Sequence, residues 1–194
     1  MGNNYYRFLN TSLVLFDKEQ IEKDYTTLVT TTRNNPAGLQ IVLGNTTNKA
    51  FTKTAYEWID SFGCKLSTGL IFYTRPGGML PWHDDGEQGD YAKFNFVWGS
   101  ENHQMLFAES KSNTTANELT PNTAGTYYKR YNLNELQNII SIKVDRPILM
   151  NGNVPHEVRN FSTTGRWCLN MLLTYKDKRL LWNDALEIFK EHLI

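Results

Sequence analysis

A chain of 194 residues whose 20 basic and 20 acidic side chains cancel gives nucleic acid, an anionic membrane or a polyanion no electrostatic hold. Hydrophobic residues make up 40 %, enough for a single domain (1–194) with a packed core, and no apolar run reaches bilayer-spanning length. Without a secretory signal the expectation is a soluble cytoplasmic protein, in which Cys64 and Cys168 stay reduced and the Asn-x-Ser/Thr triplets at Asn10, Asn45, Asn113 and Asn160 carry no glycan.

Residues 1–65 read as strands and helices that support the main sheet. Residues 5–16 suit one or two strands. Asp17, with Gln20 three residues on, starts a helix in which Ile21, Tyr25, Leu28 and Val29 recur at helical spacing to about residue 33. Residues 34–38 end it, and 39–43 suit a short strand. A second amphipathic helix over 49–62 puts Phe51, Ala55, Trp58, Ile59 and Phe62 on one side, with Gly63 as its cap.

From residue 66 to 175 the period becomes two. Strands are expected at 66–74, 80–85 and 93–98. In the last of these Phe94, Phe96 and Trp98 face the N-terminal helices, while Lys93, Asn95 and Val97 face the other way, with Asn95 toward a site. Residues 104–109 are expected to return as the hairpin partner of 93–98, leaving His103 solvated in the turn. Residues 110–124 are polar, and a loop of that length is either a flap near the substrate or plain surface. Strands are expected next at 127–133 and 139–144 with a helical turn between them, then the distal strands at 153–160 and 166–173. Residues 176–194 form a C-terminal helix whose Leu181, Trp182, Ala185, Leu186, Phe189 and Leu193 pack on the sheet or on a second copy, and whose His192 is exposed. Monomer and homodimer both stay open. About eight short strands between turn signals predict a mainly β sandwich or barrel with flanking helices.

The chemistry concentrates at Leu80-Pro81-Trp82-His83-Asp84-Asp85-Gly86. On a strand His83 and Asp85 share a face, about 7 Å apart at the backbone, and Asp84 points away. Two such groups hold one side of a metal ion, and a third ligand must come from another strand. His156, in Val154-Pro155-His156-Glu157-Val158-Arg159-Asn160, is the candidate. Two His and one carboxylate with open positions suit non-haem Fe(II) oxygenases. Ten residues after His156, Arg166 opens an apolar strand, and a charge that starts a buried strand needs a partner.

The order His83-x-Asp85, His156, Arg166 resembles the 2-oxoglutarate and Fe(II)-dependent dioxygenases, over roughly residues 66–175. Around His156 it is most similar to the prolyl and asparaginyl hydroxylase branches. The resemblance implies a double-stranded β-helix, the cupin-like jelly roll. It implies Fe(II) on His83, Asp85 and His156, 2-oxoglutarate chelating the metal and anchored by Arg166, and O₂ as co-reactant. Tyr73 is a candidate second contact to the cosubstrate, with a buried core tyrosine as the equal alternative. Asn170 shares the face of Arg166 and is a weaker candidate. Several branches have Ser two residues after the Arg. Here Cys168 stands there, a poor donor. The implied reaction hydroxylates a C–H bond of a peptide side chain or small metabolite, releasing succinate and CO₂. A metal cupin of other chemistry and a metal-free jelly-roll binding protein remain as alternatives. Asp85 counts against the halogenating branch, and Leu172 against the nucleic-acid demethylases, which have a second Arg there.

Overall fold

The structure is a computed structural model that describes residues 4–31, 39–43, 50–85, 90–111, 120–121 and 127–194. Its elements run β1 (Tyr6–Phe8), α1 (Lys18–Thr31), β2 (Leu39–Leu43), α2 (Lys53–Asp60), β3 (Cys64–Thr74), β4 (Met79–Asp84), β5 (Ala92–Trp98) and β6 (His103–Ser110). They continue through β7 (Thr120–Pro121), β8 (Tyr127–Arg130), β9 (Leu136–Ile142), β10 (Ile148–Asn151), β11 (His156–Asn160), β12 (Arg166–Tyr175), β13 (Lys178–Arg179) and α3 (Trp182–Ile188). The strands make two antiparallel sheets. One has the order β1-β10-β5-β12-β3-β2, with β13 beside β12; the other has β7-β8-β4-β11-β6-β9.

From β3 onward the chain changes sheet repeatedly: β3, β5, β10 and β12 lie in the first sheet, β4, β6 and β11 in the second. This is the double-stranded β-helix, a jelly roll with flanking helices. The crossings correct one expectation. β6 is not the hairpin partner of β5; it lies between β11 and β9, because both edges of β5 are taken by β10 and β12. Gly99, at φ +86°, turns the chain toward the facing sheet where a side chain would strike the Gly165 carbonyl. His103 is therefore not a solvated turn residue. It opens β6, is buried, and its ring nitrogens face the carbonyls of Ser100 and Val144.

The first sheet carries its helices on its outer face. Phe94 packs edge-on to Trp58 of α2 and to Phe189, just past α3, and Phe96 packs on Phe16. The aromatic stripe of β5 thus meets the helices, as its alternation requires, and α3 packs on the sheet. Truncating a fully buried ring such as Phe94 to Ala costs about 3–5 kcal/mol. His192 leans on Trp58 and Phe62 and is half-buried rather than exposed. Asp17 caps α1 by accepting the Gln20 amide at 2.9 Å. α2 starts later than its apolar spacing suggests, because Phe51 is bridged to Phe16 and Thr52 takes the cap position. A second core of Met105, Phe107, Ile148, Met150 and Val158 fills the space between the sheets. Most of residues 110–124, the expected flap, lie outside the described residues. Among the described residues no helix is long and apolar enough to cross a membrane.

Candidate metal centre

The centre is built where β4 meets β11. His83 pairs with His156 and Leu80 with Val158, so Pro81 and Trp82 together face the single residue Glu157. That is a bulge, and Pro81, which has no N–H to give the ladder, sits where the ladder is interrupted. The bulge turns the Trp82 ring to the outer face of the second sheet, with Leu106, Ala108 and Leu136, and His83 to the inner one. The Pro81 carbonyl then accepts from Nδ1 of His83 at 2.7 Å, and the Val154 carbonyl does the same for His156 at 2.8 Å. A carbonyl can only accept, so both Nδ1 atoms carry the proton and both Nε2 atoms keep a lone pair. This is how a metal-ligating imidazole is oriented.

Asp85 comes directly after the end of β4, and its amide donates to the Gly152 carbonyl at 3.0 Å. Gly152 leaves room that a side chain would fill: a Cβ there would stand 3.0 Å from both Asp85 Oδ2 and Lys93 Cε. One ligand atom each from His83, Asp85 and His156 lies within 4.8 Å of the others, so the set could hold a metal ion. Their protonation suits that. Burial, reinforced by the neighbouring His83, lowers His156 to about 3, and burial lowers His83, so both rings are neutral. Burial alone would raise Asp85, but the Lys93 ammonium beside it leads the opposing influences, and the carboxyl comes to about 2. Asp84 points away, as alternation requires, and accepts from the Tyr131 hydroxyl at 2.5 Å.

Lys93 is the residue that sequence reasoning missed. Its ammonium sits 2.6 Å from Asp85 Oδ2 with only 7 % of the side chain exposed. The signal was present in β5, where Lys93 and Asn95 alternate against Phe94 and Phe96. A lysine on the inward face of a central strand is there for a partner.

Arg166, at the start of β12, is 3 % exposed and lines the same inter-sheet cavity as His83, Asp85, Lys93 and His156. The cavity opens to solvent at one side. Among the described residues no carboxylate pairs with Arg166, and its Nε has no acceptor. Burial pushes its guanidinium pKa down and the neighbouring Cys168 thiol up, so the contact between them is to a neutral thiol. Asn170 lies on the same face and donates to Asn95 Oδ1 at 2.6 Å, while its own Oδ1 has no donor. Asn95 donates in turn to the Met150 sulfur.

Tyr73 does not join them. Phe72 and Thr74 are the β3 residues at that end of the cavity; Tyr73 points to the helix side, its ring 4.7 Å from Trp167. It is half-buried against the helix-side core, because an eleven-residue strand alternates faces and its neighbours on either side are the inward ones. Arg159 is paired with Glu157 on the outer face of β11.

No family model matches the chain, and no curated protein matches it. Solved structures do. EctD from S. alaskensis, solved with 2-oxoglutarate and 5-hydroxyectoine, aligns at a TM-score of 0.51 with 12 % identity, covering 91 % of this chain and 74 % of that one. EvdO2 from Micromonospora carbonacea var. aurantiaca aligns at 0.46 with 10 % identity over 85 % of each chain. A cupin 2 domain-containing protein from Halorhodospira halophila aligns at 0.37 with 8 % identity, covering 96 % of this chain and 90 % of that one. The chain spans 29 % of an oxalate decarboxylase from Lactobacillus farciminis and 57 % of a recombinant oxalate oxidase, two further matches. At such identities the likeness is one of fold, the jelly roll already described.

Proposed function

We propose that this chain is a 2-oxoglutarate- and Fe(II)-dependent dioxygenase that hydroxylates a C–H bond of a peptide side chain or small metabolite. The observation that carries the reading is Arg166: a buried guanidinium without a carboxylate partner among the described residues, in the same cavity as a His-Asp-His set whose lone pairs are aimed inward. A buried charge needs a counter-ion, and an anion reaching from the metal ligands to Arg166 supplies it. His83, Asp85 and His156 would hold Fe(II), and Arg166 the far carboxylate of 2-oxoglutarate, with Asn170 beside it. When bound, Fe(II), 2-oxoglutarate and O₂ supply the oxidation, in which the cosubstrate becomes succinate and CO₂ and one oxygen atom enters the substrate.

The chain's own residues do the rest. The Pro81 and Val154 carbonyls fix the tautomers, and Lys93 holds Asp85 ionised and turned toward the ligand cluster. Arg166 suits a carboxylate because its planar fork donates two parallel hydrogen bonds. Phe72, Leu80, Met105, Met150 and Val158 give the cavity an apolar wall that excludes water. The test is anaerobic titration of Fe(II) and then 2-oxoglutarate, tracking the visible band of the chelate. The expected result is one equivalent of each. Metal binding without a response to 2-oxoglutarate would move the protein to another cupin chemistry.

A further inference from the structure

We infer that the substrate is an anion that presents a carboxylate to Lys93. This rests on the cosubstrate reading and names the substrate class for the same site.

Buried charge in the cavity does not balance. The ionisable groups lining it are His83, His156, Cys168, Asp85, Lys93 and Arg166. Both imidazoles donate from Nδ1 to a backbone carbonyl and offer Nε2 inward as neutral ligands. The Cys168 thiol stays neutral in its buried position. One negative charge, on Asp85, therefore faces two positive charges, on Lys93 and Arg166. A divalent metal and dianionic 2-oxoglutarate cancel each other and leave that balance unchanged. Counted over the described residues, the loaded cavity is still positive by one unit.

No other acid among the described residues corrects it. Asp84 and Glu157, the nearest in sequence to the ligands, are both buried on the outer face of their sheet, where Tyr131 and Arg159 hold them. An uncompensated buried charge is costly, so the last component to enter brings the missing negative charge.

Geometry places it near Lys93. β5 and β12 are paired with Asn95 opposite Asn170, and β12 runs from Arg166 at one end of the cavity past Cys168 to Asn170. Lys93 lies two residues beyond Asn95, away from Arg166, so the two cations stand at opposite ends. 2-Oxoglutarate on Arg166 occupies one end and leaves Lys93 to the substrate. The ammonium has three donors and shares its surroundings with a single carboxylate oxygen, Asp85 Oδ2 at 2.6 Å, among the described residues. Arg179, whose guanidinium lies over the Tyr91 ring at 4.7 Å, falls within the field of Asp85 and adds positive potential on that side.

The experiment uses the Fe(II) protein saturated with 2-oxoglutarate under argon. Paired probes are titrated by calorimetry: N-acetyl amino acids and small hydroxy and cyclic carboxylic acids, each against its own primary amide. At least one acid should bind roughly 10–100-fold more tightly than its amide, the usual worth of a hydrogen bond to a charged group. The preference should vanish in Lys93→Met and survive in Lys93→Arg. Acids binding no better than amides across the panel, or a preference that persists in a folded Lys93→Met protein, would overturn the inference. Should Lys93→Met not fold, the acid–amide comparison on the unaltered protein decides alone. Failure of the cosubstrate reading shows earlier and separately, as a missing chelate band before any acid is added.

Discussion

Replacing Arg166 by Met makes the function and the stability of this protein move in opposite directions. The guanidinium is 3 % exposed, and no carboxylate among the described residues neutralises it. Without cosubstrate it is therefore a buried charge whose main polar contact is the Cys168 thiol. Met fills much of the same volume with no charge to desolvate. Such replacements are often stabilising, here by about 1–2 kcal/mol, which for a chain of this size raises the melting temperature by roughly 2–8 °C. Cosubstrate affinity should do the reverse. Removing one partner of a buried charge pair costs about 3–5 kcal/mol, or roughly two to three and a half orders of magnitude in Kd. Arg166→Lys should fall between, keeping the charge and losing the fork. Thermal unfolding of the metal-free proteins reads the first effect; anaerobic titration of 2-oxoglutarate into the Fe(II) proteins reads the second. A folded Arg166→Met variant that is less stable than the parent and binds 2-oxoglutarate equally well would refute the reasoning on both counts.

Ala at His83, Asp85 or His156 should each abolish tight Fe(II) binding by equilibrium dialysis, but Asp85→Ala should also destabilise the metal-free protein by about 3 kcal/mol, because it strands the Lys93 ammonium. The double variant Asp85→Ala/Lys93→Met should regain most of that loss in urea denaturation, and absence of rescue would mean that the ion pair is not what Asp85→Ala breaks. The pH dependence comes from the imidazoles, whose folded pKa values lie below the unfolded value of about 6.5. Their contribution is complete above that value and drains as pH falls, by about 1.4 kcal/mol per unit for each ring, with the Asp85 contribution lost further down, from about pH 4 toward 2; a urea midpoint flat between about pH 7.5 and 5.5 would contradict buried neutral rings. Asn160→Leu should cost about 3 kcal/mol or prevent folding, since the amide donates to the carbonyls of Thr74, Arg75 and Thr164 and accepts from Ser100 and Ser162; circular dichroism melts would show it, and a near-neutral change would mean water replaces those bonds.

Much of the fold and the centre was legible in the order of residues because it rests on local periodicity. Alternation in 93–98 assigns the aromatics to the helices and Asn95 to the cavity. The Asp17 cap and Gly63 fix helix ends by chemistry within a few residues, and the inward pairing of His83 and Asp85 comes from a period of two. Which strands pair is not a local property, since it depends on what occupies each edge: β5 and β6 are adjacent in the chain and lie in different sheets because β10 and β12 flank β5. Burial of polar residues is likewise a property of the assembled sandwich. His103 reads by sequence as a solvated turn residue and Asn160 as one of four Asn-x-Ser/Thr triplets without a glycan, and both are interior. Tyr73 and Phe72 are neighbours of similar character, and only the placement of sheet against helices decides which of them meets the cavity. Lys93 and Asp85 illustrate the limit most directly. Each is an ordinary charged residue along the chain, and only the convergence of β5 with the end of β4, across the space left by Gly152, makes them an ion pair beside two imidazoles.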